Sequence, residues 1–134
     1  DAILNSKLSI AEKDEIRIKC DATVPPVLSV SELDLCVILG NLLDNAIEAC
    51  KRITSSRYIK LLLKYEEGCL IIWIKNTFDQ IINRNEETFI TRKEDRGLHG
   101  LGIKSVKSTI EKYSGLMEIT SQGNEFAVNI ILYL

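Results

Sequence analysis

One segment, residues 31–52, constrains the fold of this chain more than any other. Its apolar residues recur every three or four positions and predict a single long helix. Ser31, followed three residues later by Asp34, has the pattern of a capping box that starts this helix. The apolar residues cover a broad face of the predicted helix, and a face this broad must pack against a second layer of structure. Its predicted buried residues are Leu35, Leu39, Leu42, Leu43, Ala46, Ile47 and Cys50.

Alternating and β-rich runs predict that the second layer is a sheet. Residues 58–65 and 69–75 form one predicted hairpin, and residues 117–121 and 126–134 form another. The expected fold class is α/β (α+β), a two-layer sandwich whose mixed sheet is covered on one face by about three helices. The remaining predicted elements are helices at residues 1–12 and 103–113 and a strand at residues 16–20.

Length and composition limit the classes to which the chain can belong. Its 134 residues fit a single domain, 1–134, and a net charge of −2 argues against nucleic acid as a partner. The longest apolar run, residues 38–49, is interrupted by polar residues and is shorter than the about 20 apolar residues of a membrane helix. The four cysteines lie far apart without a C-x-x-C pair, which disfavours zinc and disulfide frameworks. Because the chain begins in helical sequence, we expect a fragment of a larger protein. We also expect this fragment to be monomeric.

Three polar residues interrupt the long predicted helix along one side. Asn41, Asn45 and Glu48 are spaced four and three residues apart and therefore form a stripe. A solvated surface is the ordinary explanation, but asparagine is a mediocre helix former, and an exposed face more usually carries Lys, Glu or Arg. Two carboxamide oxygens one turn apart can instead help to hold Mg²⁺ against phosphate oxygens. The stripe is the first candidate site.

A glycine-rich segment offers the complementary half of an anion site. Residues 77–99 lack any sustained period, which is typical of a functional lid or of disorder. This stretch ends in a segment that contains Gly97, Gly100 and Gly102, and a helix is then predicted from residue 103 until Gly115 stops it. Glycines let a backbone approach an anion, and the N-terminus of a helix offers unpaired N–H groups. The segment matches neither the Walker pattern nor the dinucleotide fingerprint.

Both segments resemble motifs of one known superfamily. The run NLLDNAIEA, residues 41–49, resembles the N box shared by gyrase, Hsp-type chaperones, histidine kinases and mismatch-repair ATPases. The run HGLGI, residues 99–103, resembles the second glycine box of this GHKL superfamily. The resemblance is closest for the AgrC-like, quorum-sensing type of sensor histidine kinase. It implies a Bergerat ATP-binding fold and a histidine kinase catalytic domain with ATP and Mg²⁺ as cofactors.

The resemblance also implies roles for individual residues. Asn45 is expected to ligate Mg²⁺, Asn41 to support the metal or the phosphates, and residues 78–98 to form an ATP lid. These two asparagines are the candidate catalytic residues. Several sensor kinases have a basic residue where this chain has Glu48, so phosphate contact is expected from Arg92, Lys93, Arg96 or Lys104. The candidate nucleotide-binding residues are Asn41, Asn45, Asn76, Lys93, Gly97, His99, Gly100, Leu101 and Gly102.

The sequence departs from the family at the first glycine box, where an aspartate followed by x-Gly-x-Gly binds the adenine amino group. Here the strand ends in IKNTFD, residues 74–79, without glycine, and Asn76 takes the aspartate position. Its carbonyl oxygen can accept a hydrogen bond from that amine, but a neutral acceptor binds more weakly than a charged one. This departure favours an alternative of another class, a degenerate nucleotide-responsive module that regulates a partner by docking.

Asn41 distinguishes a kinase from a hydrolase. In superfamily members that hydrolyse ATP, a glutamate one turn before the metal-binding asparagine is the general base, and the carboxamide of Asn41 cannot accept that proton. The same position disfavours a serine kinase of the anti-sigma-factor type, which carries glutamate there. The γ-phosphoryl group is then available to a histidine. His99, the single histidine of the chain, lies in the glycine box and is not the expected acceptor.

The resemblance implies partners and a location as well. We expect the acceptor on a histidine-containing dimerisation domain of the same full-length protein, and a response regulator downstream. The expected location is the cytoplasm, as part of a membrane-anchored receptor. Trp73 and the other aromatic residues of the predicted strands are expected in the core.

Overall fold

A computed structural model describes the backbone of residues 2–81 and 98–134, with the side chains of residues 4–81 and 104–134. Every predicted element is present, and α3 alone begins well before its expected start. No helix of the described residues combines the length and the apolar content that crossing a bilayer requires. The elements are α1 (Ala2–Lys13), β1 (Arg17–Thr23), α2 (Glu32–Lys51), β2 (Tyr58–Glu66), β3 (Cys69–Thr77), α3 (Leu98–Lys112), β4 (Leu116–Gln122) and β5 (Glu125–Tyr133).

The five described strands form one mixed sheet in the order β1-β2-β3-β5-β4. β1 and β2 run parallel, and the other neighbouring pairs run antiparallel. Alternate residues of the central strands are buried in one cluster with the apolar face of α2, which confirms the predicted sandwich. On these strands the buried residues are Ile59, Leu61, Leu63, Leu70, Ile72, Ile74, Val128, Ile130 and Leu132.

α2 joins the two layers. Of its predicted buried face only Leu35 remains half-buried, and Ile38 is buried in addition. Each fully buried leucine or isoleucine contributes about 1.5–3 kcal/mol, so this face supplies much of the stability of the fold. α1 and α3 pack against α2, and α2 itself packs on β3.

The sequence predicts that Gly115 stops α3, but the structure gives this residue a different role. The N–H of Ser114 donates to Glu111 O and that of Gly115 to Ile110 O, both at 2.9 Å, which is a Schellman motif. Ser114, with φ of 53°, takes the left-handed position. Gly115 is needed for space instead, because an added Cβ would lie 2.6 Å from Ile131 O.

The start of α3 also differs from the expectation. The sequence predicts a glycine loop through residue 102, whereas the helix begins at Leu98 and includes both Gly100 and Gly102. Glycine costs a helix about 1 kcal/mol relative to alanine but does not break it. Val106 and Ile110, further along α3, are buried in the core and anchor the helix there.

Substituting Gly115 tests this packing. Gly115→Ala is expected to destabilise the domain by about 3 kcal/mol, because the contact at 2.6 Å is with backbone that cannot rotate away. Gly123→Ala is the control: Gly123 has φ of 58° but nothing lies within 4 Å of its added Cβ, so left-handed strain alone costs about 1 kcal/mol. Urea denaturation measures both losses. A smaller loss for Gly115→Ala than for Gly123→Ala would contradict the crowding.

Candidate functional site

The predicted polar stripe lies half-buried along α2. Asn41, Asn45 and Glu48 each keep part of their surface accessible beside the buried residues of the same helix. The side-chain amide of Asn41 donates from Nδ2 to Val37 O at 2.7 Å. This bond uses the nitrogen and leaves Oδ1 without a partner in the described part of the chain. The stripe therefore retains an acceptor oxygen that can serve a ligand.

An ion pair joins α1 to the part of α2 that carries the polar stripe. Lys7 Nζ lies 2.6 Å from Asp44 Oδ1, and the two side chains expose 22% and 35% of their surfaces. A partly buried pair is screened by salt less than a pair at the surface. The pair therefore fixes α1 beside the segment that carries Asn45.

Asn76 stands near the end of β3. It exposes only 4% of its surface, and its Nδ2 donates to Thr77 O at 3.0 Å. Its Oδ1 has no hydrogen-bond partner among the residues that the structure describes. An amide whose nitrogen is already bonded can still offer its carbonyl oxygen to an exocyclic amine such as that of adenine.

A small polar cluster joins the end of α2 to the end of β3. Cys50 Sγ lies 3.6 Å from Thr77 O, 3.7 Å from Thr77 Oγ1 and 3.5 Å from Tyr58 O. Burial raises the pKa of the Cys50 thiol, so it remains a protonated donor at neutral pH. Thr77 Oγ1 also accepts the N–H of Tyr58 at 3.1 Å. The sequence does not reveal this cluster, because Cys50 has the pattern of an ordinary core position.

The first residues of the expected ATP lid belong to the packed fold. Phe78 is buried, its N–H donates to Asn124 O at 2.9 Å, and its ring lies 5.7 Å from that of Phe126. Asp79 Oδ2 lies 3.5 Å from Arg52 Nε, just beyond α2. A lid within residues 78–98 can therefore begin only after Asp79.

The glycine segment forms the beginning of α3. The backbone of His99, Gly100, Leu101 and Gly102 is helical, so the first N–H groups of α3 lie in this segment. Lys104 is exposed on the same helix. The other candidates for contact with the nucleotide lie outside the described residues: Arg92, Lys93, Arg96 and Gly97.

A clasp formed by Asp34, Lys112 and Tyr113 holds the start of α2 to the end of α3. The Tyr113 hydroxyl donates to Asp34 Oδ2, as does Lys112 Nζ at 2.9 Å. Ser31 Oγ accepts the N–H of Asp34 at 3.1 Å, as the capping box predicts. The second half of that box differs, because the N–H of Ser31 donates to the Tyr113 hydroxyl at 3.2 Å. Aspartate is shorter than the usual glutamate, and its carboxylate is engaged by α3.

The clasp changes the ionisation of both charged partners. The Tyr113 hydroxyl first, and the Lys112 ammonium after it, lower the pKa of Asp34 below its ordinary value. Asp34 in turn raises the pKa of Lys112. Because α2 carries the polar stripe and α3 begins at the glycine segment, the clasp helps to set the relative position of the two halves of the site.

Known proteins resemble this chain in sequence family and in fold. A family model described as a GHKL domain matches residues 30–133. The catalytic domain of histidine kinase ThkA has a TM-score of 0.78 at 15% identity, over 98% of this chain and 87% of that one. The histidine kinase domain of the Erythrobacter litoralis EL346 blue-light activated kinase has a TM-score of 0.77 at 16% identity, over 98% of this chain and 59% of that one. The mycobacterial sensor histidine kinase MprB has a TM-score of 0.72 at 17% identity, over 98% of this chain and 93% of that one. No curated protein matches the sequence.

These likenesses support the fold and the class of domain. At identities below 25%, structural similarity establishes the ATP-binding fold of histidine kinases and not an activity. The sequence family adds a nucleotide-binding class of domain. Neither comparison favours the alternative of a degenerate docking module.

The pH dependence of stability tests the clasp. Because the pKa of Asp34 is lowered in the folded state, its stabilising contribution is present above the ordinary aspartate pKa and is lost as the pH falls through the folded value. Asp34→Asn is therefore expected to destabilise the domain at neutral pH, with a difference that shrinks below about pH 4. Urea denaturation at several pH values measures it. Glu32→Gln, in the same first turn of α2, is the control and should show little effect.

Proposed function

Because the chain belongs to the GHKL domain family, we propose that it is the ATP-binding catalytic domain of a sensor histidine kinase, closest to the AgrC-like type. The proposed reaction transfers the γ-phosphoryl group of Mg-ATP to a histidine on a separate dimerisation domain. The observation that carries the proposal is the half-buried pair Asn41 and Asn45, one turn apart on α2. Carboxamide oxygens suit Mg²⁺ when phosphate oxygens supply the negative charge.

The proposed site assigns a separate task to each residue. Asn45 ligates the metal, and Asn41, whose amide is held by Val37 O at 2.7 Å, presents Oδ1 to the metal or the phosphates. Asn76 accepts a hydrogen bond from the adenine amine. The backbone of Gly100 and Gly102, at the start of α3, approaches the phosphates. When bound, ATP would supply the γ-phosphoryl group, and Mg²⁺ would neutralise part of the negative charge of the phosphates.

Transfer to histidine is proposed in preference to hydrolysis. A water nucleophile needs a base to take its proton, and the Asn41 carboxamide cannot do so. A neutral imidazole is itself a nucleophile and needs mainly to be positioned in line with the γ-phosphoryl group. The task of this domain is then to hold the nucleotide in place while another domain supplies the acceptor.

The partners in this proposal are proteins. They are the dimerisation domain of the full-length protein and a response regulator that receives the phosphoryl group, on the cytoplasmic side of a membrane-anchored receptor. The assignment to the AgrC-like type rests on the HG-x-G form of the glycine box, at residues 99–102. The net charge of −2 argues against nucleic acid as a partner.

Removing the proposed metal ligand tests the nucleotide site. Asn45→Ala is expected to weaken Mg-ATP binding by about tenfold or more, because an oxygen ligand of the metal is lost. Isothermal titration calorimetry measures the affinity, and circular dichroism checks the fold of each variant. Asn5→Ala removes an exposed asparagine of α1 and serves as the control with unchanged affinity. Absence of binding by the folded wild type up to about 1 mM Mg-ATP would point to the docking module instead.

The choice between kinase and hydrolase has its own test. The isolated domain is expected to release phosphate from ATP far more slowly than on the order of once per second, since Asn41 cannot act as a base. With the dimerisation domain added, an acid-labile phosphohistidine should form, and Asn45→Ala should abolish it. Turnover of several ATP molecules per second without a partner would refute the argument from Asn41.

A further inference from the structure

Four basic residues share the face of the sheet opposite the helices. Lys19, Lys60 and Lys75 lie directly opposite one another on β1, β2 and β3 and form a row across three strands. Arg17 lies two residues before Lys19 and points to the same face. Like charges placed directly opposite weaken a sheet. Folding alone therefore gives no reason for this row.

Carboxylates of the protein neutralise the row only at one end. Lys75 Nζ lies 3.6 Å from Glu125 Oε1. The other three basic residues form no ion pair with any residue in the described part of the chain. Asp21 occupies the same face of β1 but accepts a hydrogen bond from Thr23 at 3.5 Å rather than pairing with a lysine. A local positive excess thus remains on a chain whose net charge is −2.

The row borders a groove between β1 and β2, with a volume of about 400 Å³. Lys60 Nζ lies 5.4 Å from the centre of the Tyr58 ring, so an aromatic face accompanies the cation there. Next to the row, Leu62 and Trp73 are half-buried and oppose each other on the same face, where the sequence had predicted Trp73 in the core. The lining of this basic groove consists of Arg17, Ile18, Lys19, Tyr58, Ile59 and Lys60.

Protection of a sheet edge does not account for the row. Lysines on edge strands commonly prevent pairing with another chain. β1 is an edge strand, so Lys19 by itself has that explanation. β2 and β3 lie inside the sheet, and the row continues there through Lys60 and Lys75.

We propose that the basic groove binds an acidic segment of a partner protein. Arg17, Lys19 and Lys60 pair with carboxylates of that segment, and the pair formed by Leu62 and Trp73 receives a neighbouring apolar side chain. An anionic membrane favours exposed apolar side chains that insert beside the basic residues, whereas Leu62 and Trp73 next to this row are half-buried. The groove acts independently of the proposed nucleotide site.

A fluorescein-labelled hexaglutamate peptide is a suitable probe, with binding followed by fluorescence anisotropy at low and at physiological salt. The wild-type chain is expected to bind it, more tightly at low salt. Lys19→Gln/Lys60→Gln should weaken binding about three- to tenfold, because two exposed charge pairs are lost. Lys64→Gln is the matched control, since Lys64 lies on the strand and face of Lys60 but already pairs with Glu66 at 3.4 Å. Its affinity should stay within about twofold of the wild type.

Two further measurements locate and identify the interaction. Amide chemical shifts in NMR spectra are expected to change at residues 17–19 and 58–60 when the peptide is added. Failure of the folded wild type to bind at low salt, or equal affinity of the double variant, overturns the proposal. Tighter binding to phosphatidylserine vesicles than to the peptide, lost in the double variant, overturns it in favour of a membrane. Circular dichroism confirms that each variant is folded before either comparison is made.

Discussion

Burial of the apolar face of α2 against the sheet is the interaction on which the remaining structure depends. Ile38, Leu39 and Leu43 expose 1% of their surface or less and belong to the same cluster as the central strands. Because that face takes up much of the helix circumference, the polar residues are confined to one narrow stripe. Asn41 and Asn45 are thus placed by the burial of their neighbours, and a site built on a helix is held more firmly than one built on a loop.

Polar contacts then fix both ends of α2. At its start, Asp34 holds α3 through a carboxylate that two side chains share. At its end, the Arg57 guanidinium donates to Ile53 O at 2.7 Å, to Asp14 O at 2.9 Å and to Lys51 O at 3.3 Å, which joins α2 to the end of α1. An apolar core is non-directional, and hydrogen bonds of this kind select one arrangement of the helices.

The sequence predicts most of the fold because its signals are local. Periodicity locates α2 and both hairpins, and Ser31 marks the start of α2 as its N-cap. Contacts between distant residues leave no such signal: Tyr113 meets Ser31 across 82 positions, and Cys50 meets Thr77 across 27. At Gly100 and Gly102 a local signal is present but misleading, because glycine propensity predicts a loop where the chain is helical. The polar stripe on α2 is predicted from the spacing of its residues, whereas their roles come from the resemblance and stay predictions.

The resemblance places Asn76 where the family carries aspartate, and the surroundings of this residue suit a neutral side chain. With 4% exposure, a carboxylate here would lose most of its hydration. It would also face Thr77 O, an acceptor with which it cannot form a hydrogen bond, whereas the amide donates to that oxygen at 3.0 Å. A carboxamide accepts a weaker hydrogen bond from an amine than a carboxylate does, but its nitrogen forms a hydrogen bond that a carboxylate could not form. In the proposed site, affinity for the nucleotide therefore depends more on the metal and phosphate contacts than on the adenine.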